Sequence, residues 1–391
     1  MEEKKLNILF ISSWFPNRNN PTLGNFVEKH VQAANLFCNA SVLHVVFASF
    51  ENKNRLMFDY KIENNYPVLI VYINNNYKYL PVIANVIRFF QFINAYHKGY
   101  KFLKEKHGKP DLIHANVLFP AGIIALMFAN VYKIPYVFTE HWTGYMPEDP
   151  NKMNAVRKSV SIMAAHKARM IMPVSDDLME AMKQHGIEGN YQVVPNVIDT
   201  DLFCIDSDVE RSETFRFIHI SSLDDAQKNI TGILTAVEQL LHFRNDFELL
   251  IIGDGVADKF VDLADKLNIL NSYVKFETKK TTKEIADYLK TSDCLLMFSN
   301  YESFSVVIAE ALACGLPVIA SRAGGLANEL TPKHGIIIKV GNVTALSNSM
   351  NEMMNNYQQY NKTEIAAFAQ KFSYKRVGEL LYQIYQKSIH K

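Results

Sequence analysis

Two glutamates separated by seven residues are the pair in this chain best placed to do chemistry. Glu302 and Glu310 flank an apolar segment in which a loop leads into a helix beginning near Ser305. The first amides of a helix have no partners inside the helix, and together with the helix dipole they attract anions. The N–H groups of Phe304, Ser305 and Val306 could therefore hold a diphosphate, with one carboxylate on each side.

The two carboxylates have different expected roles. Glu302, before the helix, could accept hydrogen bonds from the hydroxyls of a sugar, and Glu310, inside it, from the two vicinal hydroxyls of a ribose. On spacing alone, a capping carboxylate followed by an ordinary helical glutamate explains the pair equally well. The Gly-Leu-Pro-Val-Ile-Ala-Ser sequence that follows favours the first interpretation, a site for a sugar joined to a nucleoside through a diphosphate.

The elements that would position these residues occur in two similar series. Short runs that are apolar on both faces alternate with helical patterns, as is typical of parallel sheets covered by helices. In the first half the predicted strands are Asn7–Ser12, Ser41–Phe47, Val68–Ile73, Leu112–Ala115, Tyr136–Thr139, Met170–Pro173 and Gln192–Val194. In the second half they are Phe215–Ser221, Glu248–Ile252, Val274–Glu277, Cys294–Phe298, Pro317–Ala320 and Gly335–Lys339.

The sequence predicts an α/β protein with two facing, Rossmann-like, doubly wound domains and a cleft between them. A chain of 391 residues is long for one domain. We expect an N-terminal domain over residues 1–200 and a C-terminal domain over residues 201–371, with an amphipathic helix at 372–391 that packs back on the first. Ligands of such folds bind beyond the carboxyl ends of the strands, so the cleft is the expected site.

Composition excludes several classes of function. The net charge of +1 gives no support to nucleic-acid binding. The four cysteines stand far apart, without the spacing of a zinc site or a redox dithiol, and free thiols suit a reducing compartment. No apolar run has the length of a signal peptide core or a membrane span. We therefore expect a cytoplasmic protein.

Two Asp-x-Asp strings are candidate metal ligands. Metal-dependent transferases of another fold use such a pair to hold a divalent cation on a diphosphate. Asp199–Asp201 and Asp206–Asp208 lie at the expected domain join rather than after a strand in a nucleotide site. We predict no metal site and no cofactor.

A basic and apolar stretch at residues 80–109 has two interpretations that remain open. It combines apolar residues such as Phe89 and Phe90 with Arg88 and five lysines, and 151–170 adds further basic residues. Such a helix can lie on an anionic membrane, at the inner face of which a lipid-linked acceptor would be found. It can equally face the core and expose a solvated basic side.

Several further motifs resemble, in order along nearly the whole chain, those of the retaining glycosyltransferases of the GT-B fold, in particular family 4. Together with the Glu-x7-Glu segment they are Trp14–Pro16 with Gly24 and His30, Asp111–His114, Thr139–His141, Val174–Ser175, Val194–Asp199, Lys228, Gly253–Gly255 and Ala323–Gly325 with Glu329. Each motif is weak by itself, but their common order is specific.

The resemblance implies transfer of a sugar, with retained configuration, from a UDP- or GDP-sugar to a hydroxyl of a glycan or lipid-linked acceptor in cell-surface polysaccharide synthesis. It implies catalytic roles for Glu302, Lys228 and His141. The donor would be bound by Gly24, Asn196, Lys228, Gly253, Asp254, Phe304, Ser305, Val306 and Glu310. A nucleotide-sugar epimerase of the same architecture is the alternative.

The chain departs from the family pattern beside the expected cation. Lys228 would neutralise the leaving diphosphate, but Ser222 stands where the family often has an arginine. Arg322, Arg18 or backbone amides are the candidates to replace it. A dinucleotide-dependent oxidoreductase is disfavoured, because Asp258 occupies the third glycine position after Gly253 and Gly255.

Overall fold

The structure, a computed structural model, describes residues 5–50, 55–74, 81–151, 153–206, 214–255 and 257–389, without the side chains of 81–83. The chain divides into two compact units. Unit 1 comprises Met1–Trp142, Met153–Val197 and Tyr374–Lys391, and unit 2 comprises Thr143–Lys152 and Ile198–Ser373. The predicted boundary near residue 200 therefore does not account for the short segment Thr143–Lys152, which belongs to unit 2.

Thirteen strands and thirteen α-helices are present in the described residues. The strands are β1 Asn7–Ser12, β2 Asn39–Ala48, β3 Leu56–Glu63, β4 Tyr66–Asn74, β5 Leu112–Asn116, β6 Tyr136–Glu140, β7 Ile171–Pro173, β8 Phe215–Ser221, β9 Phe247–Gly253, β10 Val274–Glu277, β11 Cys294–Met297, β12 Val318–Ser321 and β13 Gly335–Ile338. The helices are α1 Asn25–Asn35, α2 Pro81–His107, α3 Leu118–Tyr132, α4 Ala155–His166, α5 Asp176–Gln184, α6 Asp225–Lys228, α7 Ile230–Leu240, α8 Asp258–Lys266, α9 Thr282–Lys290, α10 Val306–Ala313, α11 Val343–Asn356, α12 Lys362–Ala369 and α13 Tyr374–Ile389.

Unit 1 is built on a seven-stranded sheet in the order β3-β4-β2-β1-β5-β6-β7. All neighbours are parallel except β3, which pairs antiparallel with β4 at the edge. β5 and β6 are buried along their whole length, as expected for central strands of a parallel sheet that is covered on both faces. The sheet is thus doubly wound, as predicted.

Two strand predictions in this unit are wrong. β3 was not expected, because it is a partly exposed edge strand with charges along it; the local signal is the Asn64-Asn65 turn, where both residues have positive φ as a tight hairpin requires. Gln192–Val194 runs beside β7 through backbone hydrogen bonds to Ile171 and Pro173 but is not a strand.

Helix α13 belongs to the core of unit 1. Val377, Leu381, Ile384 and Tyr385 are buried there, and the Tyr385 hydroxyl lies 2.7 Å from Nδ1 of His114 on β5. The helix also comes very close to α1. A Cβ atom on Gly378 would lie 2.3 Å from the carbonyl oxygen of Ala33, so only glycine permits this approach.

Replacing Gly378 with valine should therefore destabilise unit 1. Overpacking of this kind typically costs about 1–3 kcal/mol, and here the obstacle is backbone rather than a flexible side chain. Thermal unfolding followed by tryptophan fluorescence would measure the change. Gln383→Ala, on the exposed face of α13, is the matched control and should leave the midpoint unchanged.

Unit 2 has a six-stranded, fully parallel sheet in the order β10-β9-β8-β11-β12-β13. Counted within the unit this is the order 3-2-1-4-5-6, in which the chain reverses its direction of travel between β8 and β11. Ligands of doubly wound sheets bind beyond the carboxyl ends of the strands at such a reversal. The loops after β8 and β11 are therefore the place in this unit to look for a site.

Candidate functional site

A cavity of about 420 Å³ opens at the carboxyl ends of the unit 2 strands. The strands and loops that line it are those of β8, β9, β10 and β11, together with the start of α10. Five of the predicted site residues line it, namely Lys228, Gly253, Asp254, Ser305 and Val306. The structure thus gathers residues that lie up to 78 positions apart in sequence (Lys228 to Val306) around one space.

Lys228 and Glu302 form a buried ion pair at this cavity. Lys228 Nζ donates to Glu302 Oε1 at 2.5 Å, and the two side chains are only 13% and 7% exposed. The Ser299 hydroxyl donates to the same carboxylate oxygen at 2.8 Å. The sequence placed both residues in the site but did not predict that they pair with each other.

Backbone contacts between the β8 and β11 loops hold this pair in place. The Asn300 amide donates to Gln227 O at 2.7 Å, and the Asn300 side chain donates to Ala226 O at 3.0 Å. The Glu302 amide donates to Ala323 O at 2.8 Å, which ties the same loop to the one after β12. The hydrogen bonds of Asn300 hold the β11 loop against α6, and this contact places Glu302 next to Lys228.

Ser305, the residue that precedes α10, lines the cavity and has an unusual backbone conformation. Ser305 precedes the helix with φ 69°, in the left-handed region that a non-glycine residue seldom adopts, and its buried hydroxyl has no hydrogen-bond partner among the described residues. Unpartnered buried groups and left-handed backbone concentrate at functional sites. Phe304 is buried behind it, with Gly325 against its backbone.

Glu310 does not line the cavity, unlike five of the other predicted site residues. It lies one turn after Val306 on α10 and is 7% exposed. Its predicted contact with ribose stays a prediction.

The glycines at and just after the end of β9 have a structural purpose. A Cβ on Gly253 would lie 2.3 Å from the Leu223 side chain, and one on Gly255 would lie 2.4 Å from Ser222 O. They let the β9 turn pack directly on the β8 loop, which brings Asp254 to the cavity wall.

Two lysines at the cavity were not predicted. Lys279 and Lys280 follow β10 and line the same space as Ser222, where an arginine was expected. Of the two arginines proposed in its place, Arg322 is not among the residues that line the cavity. Arg18 belongs to unit 1, where it pairs with Asp59, and its proposed role stays a prediction. The cavity that Ser222 lines thus carries two lysines from a loop that the sequence pattern did not single out.

His141 is the centre of a separate polar cluster in unit 1. Its Nδ1 lies 3.0 Å from Asn196 Oδ1 and its Nε2 lies 3.3 Å from Asn116 Oδ1, while the ring packs on Phe26 and His30. Burial, reinforced by the neighbouring His30, holds the pKa of His141 well below its usual range. The imidazole is therefore neutral at physiological pH.

The partners of His141 fix its tautomer. A neutral imidazole has one donor and one acceptor nitrogen. Both amide oxygens face the ring, and a neutral imidazole can donate to only one of them, so one amide has to present its nitrogen instead. A half rotation of Asn116, whose Nδ2 has no partner among the described residues, gives Nε2 a donor and leaves Nδ1–H to donate to Asn196.

Glu140, the middle residue of the Thr139–His141 motif, is a positioning residue to which the sequence assigned no role. Its buried carboxylate accepts hydrogen bonds from the amides of His141 at 2.9 Å, Trp142 at 3.0 Å and Leu118 at 3.0 Å. The Leu118 amide lies at the start of α3, so Glu140 ties the 141–142 loop to that helix. The signal available in the sequence was an acidic residue at the end of a predicted strand, directly before the expected histidine.

Gly24 starts α1 rather than lining the His141 cluster. It has φ +71°, and a Cβ there would lie 2.4 Å from Trp14 O, so the close approach it permits in this structure is to the Trp14 backbone. Its predicted contact with the donor stays a prediction.

The first Asp-x-Asp string has a local role. Asp199 Oδ1 accepts hydrogen bonds from the amides of Asp201 and Leu202 at 3.3 and 3.1 Å, which is an ordinary turn. Asp208 of the second string lies outside the described residues.

Among residues that the structure describes, no helix is long and apolar enough to cross a membrane.

Relatives with known names match most of the chain. An uncharacterized glycosyltransferase of Methanocaldococcus jannaschii is 25% identical over 81% of this chain and 87% of its own. A probable sucrose-phosphate synthase of Thermosipho melanesiensis is 24% identical over 78% and 76%, respectively. A putative teichuronic acid biosynthesis glycosyltransferase of Bacillus subtilis is 26% identical over 68% and 66%.

Solved structures share the fold over nearly the full length. Sucrose-phosphate synthase from Thermosynechococcus elongatus has a TM-score of 0.76 at 18% identity, covering 98% of this chain and 99% of its own. Anabaena HepE in complex with UDP has a TM-score of 0.72 at 17% identity, covering 97% and 99%.

Two family models match consecutive parts of the chain. The model for Glycosyltransferase Family 4 matches residues 45–202, and the model for Glycosyl transferases group 1 matches residues 205–370. The two doubly wound sheets agree with this assignment. The chain belongs to the GT-B glycosyltransferases of the group 1 and family 4 type.

Proposed function

We propose that this glycosyltransferase moves a sugar from a UDP- or GDP-sugar to a hydroxyl of a glycan or lipid-linked acceptor, with the anomeric configuration retained. The observation that carries the proposal is the unit 2 cavity, in which Lys228 paired with Glu302 lies beside the N-terminus of α10. Anabaena HepE, which shares the fold, was solved with UDP-glucose. The teichuronic acid relative supports a role in cell-surface polysaccharide synthesis.

The groups at the cavity suit a nucleoside diphosphate that departs from a sugar. The bond from the anomeric carbon to the β-phosphate oxygen breaks, and negative charge develops on the diphosphate. Lys228 and the first amides of α10 stabilise that charge in a largely buried place, where such interactions are strongest. We propose that they do so without a metal ion.

We propose that the acceptor attacks from the face that the leaving group has just vacated. Its hydroxyl proton passes to the departing phosphate oxygen while the new bond to the anomeric carbon forms, so that the configuration is retained. Glu302 contributes by holding a hydroxyl of the donor sugar, and the neutral His141 by hydrogen bonding to sugar or acceptor. No covalent intermediate is required.

Donor binding and transfer test this proposal together. Purified protein should show a raised unfolding midpoint with UDP or GDP, since a ligand that binds the folded state stabilises it, and EDTA should not abolish the shift. With a radiolabelled sugar donor and a mixture of lipid-linked acceptors, label should move to the acceptor with retained configuration. Isomerisation of the free donor without transfer would favour the epimerase, and no response to either nucleotide would refute the proposal.

We also propose that α2 contacts an anionic lipid surface at the cytoplasmic face of the membrane, where a lipid-linked acceptor is presented. Val86, Phe89 and Phe90 are 55%, 46% and 64% exposed at its first turns. Arg88, Lys98, Lys101, Lys104 and Lys106 accompany them, against Glu105 alone. Apolar side chains that enter the interface and lysines that meet anionic headgroups are the two components of such binding.

Phe90→Asp should lower binding to phosphatidylglycerol vesicles by at least about tenfold, because it removes one inserted aromatic side chain and adds a repelled charge. Co-sedimentation measures this, with phosphatidylcholine vesicles as the neutral comparison. Phe243→Asp, at an equally exposed phenylalanine in unit 2, is the control and should bind as the parent does. Equal binding by both variants would contradict the lipid contact.

A further inference from the structure

Strand β3 has one side of its backbone free for a further strand. It is the last strand of the unit 1 sheet and pairs only with β4 among the described residues. The carbonyl of Arg55, directly before β3, accepts a hydrogen bond from the Asn74 amide at 3.0 Å. Hydrogen bonding alternates along an antiparallel strand, so the odd-numbered residues of β3 turn their N–H and C=O groups toward β4. The groups that face outward are those of Leu56, Phe58, Tyr60 and Ile62.

Two apolar side chains along this free edge are exposed. Phe58 is 37% and Ile62 is 58% exposed, and they share one face of β3 with Tyr60. Phe58 and Tyr60 lie 5.8 and 5.4 Å from Phe102 of α2 between ring centroids, so this is the face on the α2 side of the sheet. A free edge with exposed apolar side chains is a template for pairing with another strand.

The opposite face of β3 carries three charges in the order acid, base, acid. Asp59 pairs with Arg18 at 3.0 Å, and Lys61 pairs with Glu63 at 2.6 Å. The side chains of Asp59 and Lys61 are nevertheless 22% and 49% exposed. Charges on an edge strand ordinarily discourage pairing, so any partner strand has to present the opposite charges at the matching positions.

A second copy of the same strand meets this condition in one register. A two-fold pair of identical, hydrogen-bonded strands is antiparallel, and its outward-facing residues lie opposite each other. With Tyr60 on the two-fold axis, each Asp59 lies opposite Lys61 of the second copy, and each Phe58 lies opposite Ile62. Moving the axis to Asp59 or to Lys61 places two like charges directly opposite each other, which is destabilising.

We propose that the chain forms a symmetric dimer through β3, with Tyr60 on the axis, so that the two unit 1 sheets become one continuous sheet. The axis of such a pair is perpendicular to the sheet, so both α2 helices lie on the same face. The side chains proposed to contact lipid are then presented twice to one surface, which raises avidity without any new contact. The dimer depends neither on that lipid contact nor on the proposed sugar transfer, and its test uses neither.

Charge reversal at the edge tests the dimer. Sedimentation velocity of the full chain at micromolar concentration should show a species of twice the mass of the chain. Asp59→Lys and Lys61→Asp each place like charges opposite each other, so each variant should raise the dissociation constant of the dimer at least about tenfold. An equimolar mixture of the two variants should recover the dimer, because every charge of one variant then faces the opposite charge of the other.

Single cysteines report the register. Tyr60→Cys should give a disulfide-linked dimer on mild oxidation, since opposite residues of a hydrogen-bonded pair lie about 5.5 Å apart between Cα atoms, within the range of a disulfide. Lys61→Cys should not, because its counterpart on the second copy is displaced by two residues along the strand. The parent, with its four native cysteines, shows the background.

The control is Glu180→Lys, which reverses an exposed charge of unit 1 in the ion pair with Lys183 and should leave the dimer intact. A monomeric parent overturns the proposal, and so does a dimer that neither reversal at β3 weakens, because such a dimer uses another surface. A mixture of the two variants that stays monomeric also overturns it. Cross-linking through Lys61→Cys rather than Tyr60→Cys overturns the proposed register.

Discussion

Replacing Lys228 with methionine should lower the rate constant for sugar transfer by at least about a hundredfold. Removal of one donor that stabilises developing negative charge typically costs a factor of that size or more. Lys228 is 13% exposed, so water cannot easily take its place. Affinity for the nucleoside diphosphate should fall as well, because the proposed diphosphate site loses a cation.

Glu302→Gln should separate transfer from binding. In the structure Glu302 holds the Lys228 ammonium at 2.5 Å, and a diphosphate must compete for that ammonium. Without the carboxylate, Lys228 is left for the diphosphate alone, so we expect nucleotide affinity to stay level or rise while transfer falls. Opposite changes in Kd for the two variants would identify the ion pair as a competitor of the donor.

The free energy of unfolding should also depend on the ion pair between Lys228 and Glu302. Breaking a buried ion pair from one side leaves an uncompensated charge and costs up to about 3–5 kcal/mol. Each single variant should therefore unfold more easily than the parent, and the double variant Lys228→Met with Glu302→Gln should recover part of the loss.

Lys333→Met is the control for these measurements, since it removes an exposed lysine from an ion pair elsewhere in unit 2. It should match the parent in transfer, binding and stability. Near-normal transfer by Lys228→Met, once its fold is verified by circular dichroism, would refute the proposed role of Lys228 in sugar transfer.

Acid should unfold unit 1 before unit 2. Burial lowers the pKa of His30 and His44 to about 4 and places those of His114 and His141 well below the usual range, all in unit 1. In unit 2 burial lowers the pKa of His219 to about 4 and also lowers the pKa of His334. Among the described residues, the histidines buried in neutral form thus belong mainly to one unit.

The direction of the effect follows from proton binding. Between the unfolded pKa of about 6.5 and a folded pKa near 4, the unfolded chain takes up protons that the folded chain refuses. Stability is fully present above about pH 6.5 and falls on acidification by about 1.4 kcal/mol per pH unit for each histidine. His30 and His44 together thus remove about 2.7 kcal/mol per pH unit, which over two units is comparable to the lower end of a typical stability of 5–15 kcal/mol. His114 and His141 act in the same direction.

The two tryptophans make this measurable. Trp14 and Trp142 both belong to unit 1, so their fluorescence should change near pH 5, ahead of the later phase in far-UV circular dichroism. His44→Phe should move the first transition to lower pH, whereas His166→Phe, at an exposed position, should leave it in place. Coincident transitions for fluorescence and circular dichroism would refute the order of events.

Local patterns were sufficient for most of the strands and for the helix start at Ser305. The sequence did not predict Lys279 at the cavity, because that position depends on β10 lying two strands from β8, which is a matter of strand order rather than of local pattern. The ion pair of Lys228 with Glu302 was missed for a related reason. Each residue had been assigned to a ligand, and only the folded loops show that they meet.

The same limit applies to the His141 cluster. The histidine itself was expected, but its tautomer depends on Asn116 and Asn196, which lie 25 and 55 residues away. β3 escaped prediction because the residues of an exposed edge strand mix charges with apolar side chains. Properties that arise from partners distant in sequence were thus the ones that residue patterns could not supply.

The assignment of α13 to unit 1 has a consequence for synthesis on the ribosome. Unit 1 is started first, yet Val377, Leu381 and Tyr385 of its core are translated only after Ile198–Ser373. At about 5–20 residues per second, that intervening stretch delays them by roughly 10–35 s. The unit that emerges second should therefore be the first to reach its native state, while the earlier one waits as a nascent intermediate and is the natural client of a chaperone.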